Sequence, residues 1–241
     1  MPDQPPESRR IKSYVLRAGR MSDAQRRSYD TLFPRYAVPF GQEPADFPQL
    51  FGNDNPLIVE IGFGMGIATA LIAQAHPRRN YLGIEVHRPG IGRLLWEIEN
   101  RRIENIRIIE HDAVEVLEKM IQDCSIEGFH LFFPDPWQKK RHHKRRLVTR
   151  PFTDLLAVKL RPSGYIYMVT DWADYGDWAL AELSATPGLI NRYEGFAPPQ
   201  LWRPETKFER KGLNKNHQTY ELFFTSGQGE YLYRETPDLS G

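Results

Sequence analysis

Phe133-Pro134-Asp135-Pro136-Trp137 places a carboxylate and an indole between prolines, at the end of an apolar run. Gln138 follows, and then six cations fall within the eight residues Lys139 to Arg146. A carboxylate can accept from the amide N–H and exocyclic amine on one edge of guanine, and Trp137 can stack on a base. The cations can hold phosphates. Each feature also has a plainer reading. Asp135 can be a rigid turn, Trp137 can be core, and the basic run can be a solvated face, although six cations without an intervening acid are dense for that. His142-His143 lacks the Cys or carboxylate companions of a zinc site, so no metal is expected.

A second constellation lies upstream. Val59-Glu60-Ile61-Gly62-Phe63-Gly64-Met65-Gly66 reads as a strand running into a glycine loop, where the backbone can approach a ligand closely. Ile67 stands where a G-x-G-x-x-G dinucleotide fingerprint needs glycine, and a Gly-Lys-Ser/Thr phosphate loop is absent. Three carboxylates, Glu60, Glu85 and Asp112, stand at successive strand ends. They would repel a phosphate-bearing cofactor and suit S-adenosylmethionine, which carries a sulfonium and an ammonium. A carboxylate after the second strand suits ribose hydroxyls. One after the third suits an adenine amine, although Asp112 can equally cap the helix that follows it.

The elements that must position these groups alternate. Strands are expected at Leu57–Ile61, Tyr81–Glu85, Ile106–Ile109, Phe129–Phe133 and Gly164–Thr170. Helices are expected over Ile67–Ala75, Gly90–Arg101, Ala113–Ile121, Thr149–Leu160 and Trp172–Ser184. This spacing implies right-handed crossovers and a parallel sheet covered on both faces. Tyr220–Thr225 suggests a closing antiparallel hairpin. Residues 1–30 read as a flexible basic extension with a helix starting near Ser22, 31–55 as a proline-rich connector, and 56–241 as the catalytic domain. The extension carries seven Arg and Lys (Arg9, Arg10, Lys12, Arg17, Arg20, Arg26, Arg27). Residues 1–10 are expected to be disordered, and the extension to order on binding.

With 241 residues the chain can bury a substantial core. Its 40% hydrophobic and 26% charged content is ordinary for a globular protein. A net charge of +1 excludes general coating of nucleic acid but permits a local basic stripe. No apolar run approaches a bilayer span, the opening Met1-Pro2-Asp3-Gln4 has no signal core, and the lone Cys124 fits a reducing cytoplasm. Nothing indicates a protein partner, and a monomer is expected.

Glu60-Ile61-Gly62-Phe63-Gly64-Met65-Gly66, Gly83-Ile84-Glu85-Val86-His87, His111-Asp112-Ala113, Pro134-Asp135-Pro136-Trp137 with its basic tail, Thr170-Asp171-Trp172 and Thr206-Lys207-Phe208-Glu209 occur in this order. The chain thereby resembles the bacterial tRNA (guanine-N7)-methyltransferases over nearly its full length. The Asp-Pro-Trp segment is specific to that family, whereas the glycine loop is general to its class. The resemblance implies a Rossmann-like class I methyltransferase fold, S-adenosylmethionine as donor, and the variable-loop guanine of tRNA as acceptor. It further implies a donor site of Glu60, Gly62, Gly64, Gly66, Glu85, Asp112 and Asp135, with Asp135 also the catalytic position. Substrate contacts would come from Lys139, Arg141, Lys144, Arg145, Arg146, Asp171, Thr206, Lys207, Phe208 and Glu209. Gln138 stands where many members carry His. Read without the resemblance, Asp171 would be a helix N-cap and 206–209 a surface loop. A small-molecule methyltransferase, a non-catalytic RNA-binding module and a nicotinamide enzyme are the competing classes. The last is disfavoured by Ile67.

Overall fold

The computed structural model describes residues 11–14, 19–205 and 218–227. Seven strands form one sheet in the order β3-β2-β1-β4-β5-β7-β6: β1 Leu57–Ile61, β2 Asn80–Glu85, β3 Ile106–Glu110, β4 Ile126–Phe132, β5 Leu160–Thr170, β6 Leu189–Asn191 and β7 Tyr220–Ser226. The first five are parallel. β7 runs antiparallel to β5, and β6 antiparallel to β7. This is the expected α/β fold with its antiparallel closure. The closing pair is joined by the long segment 192–219 rather than by a tight turn.

β1 and β2 are buried at every residue. Parallel strands covered on both faces read as continuous apolar runs for this reason, and their limits were predictable to within a residue. Alternate side chains feed opposite layers. Leu57, Val59 and Ile61 join the core beneath α5 (Ala113–Lys119), α6 (Arg150–Lys159) and α7 (Ala173–Ser184). Ile58 joins the one beneath α3 (Ile67–Ala75) and α4 (Arg88–Arg101). After β3 the chain returns to the other side of β1 to make β4. The crevice between the carboxyl ends of β1 and β4 is therefore the topological switch point where α/β sheets bind ligands.

α1 spans Asp23–Tyr36 and begins with a capping box between Ser22 and Gln25. It docks on α4: Gln25 Nε2 donates to the Pro89 carbonyl (3.2 Å), and a Cβ on Gly92 would lie 2.8 Å from the Gln25 carbonyl oxygen. Within the proline-rich stretch before β1 lies a further short helix, α2 (Phe47–Phe51), with Asp46 capping its start and Gly52 (φ 72°) ending it. β5 starts four residues before the expected Gly164, because a register irregularity at Ile126/Gly128 lets Leu160 pair ahead of the main ladder. Among the described residues no helix is long and apolar enough to cross a membrane.

Candidate active site

The loop from β1 to α3 turns through three left-handed glycines: Gly62 (φ 72°), Gly64 (55°) and Gly66 (65°). Other residues rarely hold such angles. Gly66 is also the N-cap of α3, where a Cβ would come within 2.7 Å of Leu94 on α4. The loop is held from below by Glu85, whose carboxylate accepts the backbone N–H groups of Gly64 (2.9 Å), Val86 (2.7 Å) and His87 (3.0 Å). Hydrogen bonds to a charged group are worth about 1.5–3 kcal/mol each, so this carboxylate is fixed before any ligand arrives.

Glu85, Asp112 and Asp135 come together around one cavity of about 240 Å³ at the switch point. Gly62 lies on its wall, with apolar surface from Ile61, Val86, Val114 and Leu147. Among the described residues no Lys or Arg lines it, although Lys12 lies close enough for its charge to act on Asp112. Three carboxylates on one wall suit a ligand that is positive and lacks phosphate, and the apolar wall suits a purine. The residues present thus fit S-adenosylmethionine. Asp112 serves both readings that its position allowed: Oδ1 caps α5 through the N–H groups of Val114 (3.0 Å) and Glu115 (3.3 Å), and the residue lines the cavity.

Glu60, Gly64 and Gly66, expected in the same site, do not line the cavity. The two glycines shape the loop. Glu60 is 2% exposed, and its Oε2 has no hydrogen-bond partner among the described residues. Burial, partly offset by the nearby Thr69 hydroxyl and reinforced by the Glu85 charge, pushes its pKa up to about 8. Burial therefore favours the protonated form of Glu60 at neutral pH.

Asp135 is exposed at the mouth of this cavity, in a turn bounded by two residues with left-handed backbones, Phe133 (φ 51°) and Trp137 (φ 46°). Such angles in bulky residues cost about 1–3 kcal/mol each and persist only when the surroundings enforce them. The Phe133 N–H bonds the Val169 carbonyl (2.8 Å), tying the turn's entry to β5. Trp137 is engaged on several sides: its N–H donates to Ser13 (3.0 Å), the Arg145 guanidinium lies 5.1 Å from its ring centroid, and His142 meets it edge-on.

Lys140–Arg145 forms a 3₁₀ helix. Lys139, Lys140, Arg141 and Lys144 are exposed, Arg145 is partly covered, and Arg146 is buried, so the structure does not bring all six cations to one surface. Asp171 does not cap α7. The N-cap position falls on Trp172, without a side-chain cap, and Asp171 stays partly exposed at the carboxyl end of β5. Thr206, Lys207, Phe208 and Glu209 lie outside the described residues, as do Arg9, Arg10, Arg17 and the stretch 1–10. The segment leading to 206 is anchored by Arg203, which donates to the Tyr167 hydroxyl (3.1 Å) and to Glu221 (3.1 Å) in a buried ion pair.

Sequence reasoning missed Ser13 and Tyr14, which line the cavity from the N-terminal segment. Their only signal was an aromatic residue among cations.

A family model described as a putative methyltransferase matches residues 54–222. A tRNA (guanine-N(7)-)-methyltransferase of Nitrosospira multiformis is 49% identical over 221 residues, covering 92% of this chain and 96% of that protein. One from Burkholderia mallei is 50% identical over 216 residues, covering 90% and 82%. Among solved structures, the 16S rRNA methyltransferase KamB superposes with a TM-score of 0.56 at 13% identity, covering 77% of this chain and 95% of that one, a likeness of fold.

Proposed function

The chain belongs to the tRNA (guanine-N7)-methyltransferase family, and from that premise we propose that it transfers a methyl group from S-adenosylmethionine to N7 of a guanine in the variable loop of tRNA, giving 7-methylguanosine. The observation that carries this reading is the convergence of Glu85, Asp112 and Asp135 on one cavity, beside the exposed Lys139, Lys140, Arg141 and Lys144. One copy carries every residue named, so the enzyme is proposed to work as a monomer, in the cytoplasm, with residues 56–241 as its catalytic domain and the preceding segments as extensions.

Bound S-adenosylmethionine supplies an electrophilic methyl group. Guanine N7 has a free lone pair and no proton to lose, so no residue need act as a strong base. What the chain supplies is placement. Glu85 and Asp112 hold the donor's ribose and adenine ends by accepting hydrogen bonds. Asp135, at the mouth of the cavity, accepts from the amide N–H and amine of guanine and offsets the positive charge that grows on the base. Correct alignment of two reactants can lower a barrier by about 7–11 kcal/mol. Lys139, Arg141, Lys144 and Asp171, with Thr206 to Glu209, are proposed to contact the RNA.

Incubating the protein with labelled donor and unmodified tRNA, followed by borohydride–aniline cleavage, tests the proposal. Label in tRNA with scission at one variable-loop guanine is expected. Label without scission there, or no label, would overturn it.

A further inference from the structure

Arg146 ends the basic run, yet it points into the protein. Its side chain has no solvent exposure. Nε donates to the Pro136 carbonyl (3.0 Å), and Nη2 bonds the Asp174 carboxylate and lies 3.2 Å from His143 Nε2. The guanidinium carbon sits 5.1 Å from the ring centroids of both Tyr175 and Trp178. Those rings are themselves fixed on α7: the Trp178 N–H donates to the Val148 carbonyl (2.7 Å), and the Tyr175 hydroxyl accepts from the Val148 N–H (3.3 Å). Nη1 finds no acceptor among the described residues, so this burial is kept although one donor goes unsatisfied.

Pro136 is the residue between Asp135 and Trp137. Its carbonyl is what Arg146 grips, inside a turn whose two flanking residues are both left-handed. A turn of this kind needs an external restraint. Only a planar fork can bond a carbonyl edge-on while stacking against aromatic faces; a lysine ammonium cannot. We infer that Arg146 is a positioning residue for Asp135 and makes no contact with tRNA phosphate. It couples the turn to α7, so that the carboxylate is aimed before guanine arrives. This inference rests on the function proposed above.

The test uses the full chain with Arg146→Lys and Asp174→Asn, the second loosening the guanidinium from its exposed side. Single-turnover rates are measured at saturating donor and tRNA, donor affinity by calorimetry, tRNA affinity over a salt series, and folding by thermal melting. Both variants are expected to methylate more slowly, Arg146→Lys by roughly tenfold to a hundredfold, the scale of loss when a reacting group is misplaced by about 1 Å. Donor affinity is expected within about twofold of the parent, and the slope of log affinity against log salt unchanged, because no phosphate contact is lost. A shallower slope for Arg146→Lys would overturn the inference, and so would parental rates in folded variants. If Arg146→Lys does not fold, Asp174→Asn decides by the same criteria. Absence of activity in the parent would instead refute the function itself.

Discussion

The indole N–H of Trp137 donates to the carbonyl of Ser13 at 3.0 Å, linking the Pro-Asp-Pro-Trp turn to a segment 124 residues earlier in the chain. Ser13 and Tyr14 line the cavity with Asp135, so the bond ties one wall of the cavity to the turn that carries Asp135. Trp137→Phe keeps an aromatic ring and removes the donor. A hydrogen bond of this kind contributes about 0.5–1.5 kcal/mol, so donor binding is expected to weaken roughly two- to twelvefold. Calorimetric titration with S-adenosylmethionine measures this directly. Parental affinity would mean that residues 13 and 14 lie beside the donor without helping to hold it.

Asp135→Asn keeps shape and removes charge. If Asp135 offsets charge developing on guanine, methyl transfer should fall by roughly two orders of magnitude, comparable to losing one preorganised electrostatic contact elsewhere. Glu85 and Asp112 remain, so donor affinity should change much less. Equal losses in single-turnover rate and in donor binding would make Asp135 a donor ligand only.

The legible parts were those decided locally. Largely apolar runs marked β1 and β2, and the three glycines marked a turn through left-handed angles that glycine adopts most readily. Ser22 and Gln25 announced α1 through their capping box. What could not be read depends on docking. Glu60 and Glu85 are alike in sequence, each at a strand end, yet one is sealed beneath the loop and the other borders the cavity. Arg145 and Arg146 are neighbours, yet one stacks on Trp137 and the other is buried against α7. Asp171 looked like a helix cap, but the N-cap position fell on Trp172 because α7 starts one residue later than expected. β6 is three residues long and is defined only by pairing with β7.

Lys140, Arg141 and Lys144 project from the 3₁₀ helix into solvent. Replacing all three with Ala should weaken tRNA binding. The slope of log affinity against log salt should become shallower by roughly 0.7–0.9 for every phosphate contact removed. Donor titration should be unaffected. Binding isotherms at four salt concentrations give the slope, and a parental value would take this helix out of the RNA interface.

Glu60 gives the stability of the protein a pH dependence whose sign follows from its burial. Its folded-state pKa of about 8 lies above the ordinary value of 4.5, chiefly because the charged form is desolvated. Below pH 4.5 both native and unfolded chains hold the proton. Between 4.5 and 8 the native state keeps a proton that the unfolded chain has released, so Glu60 lowers stability as pH rises, by at most about 1.4 kcal/mol per pH unit. Above 8 both states are ionised and the loss is complete. Glu60→Gln retains a polar group of the same size that never ionises. Its stability relative to the parent should therefore rise from pH 5 to pH 8 by a few kcal/mol. Denaturant midpoints at pH 5, 6.5 and 8 resolve this, and parallel curves for parent and variant would mean that Glu60 is charged beneath the loop throughout.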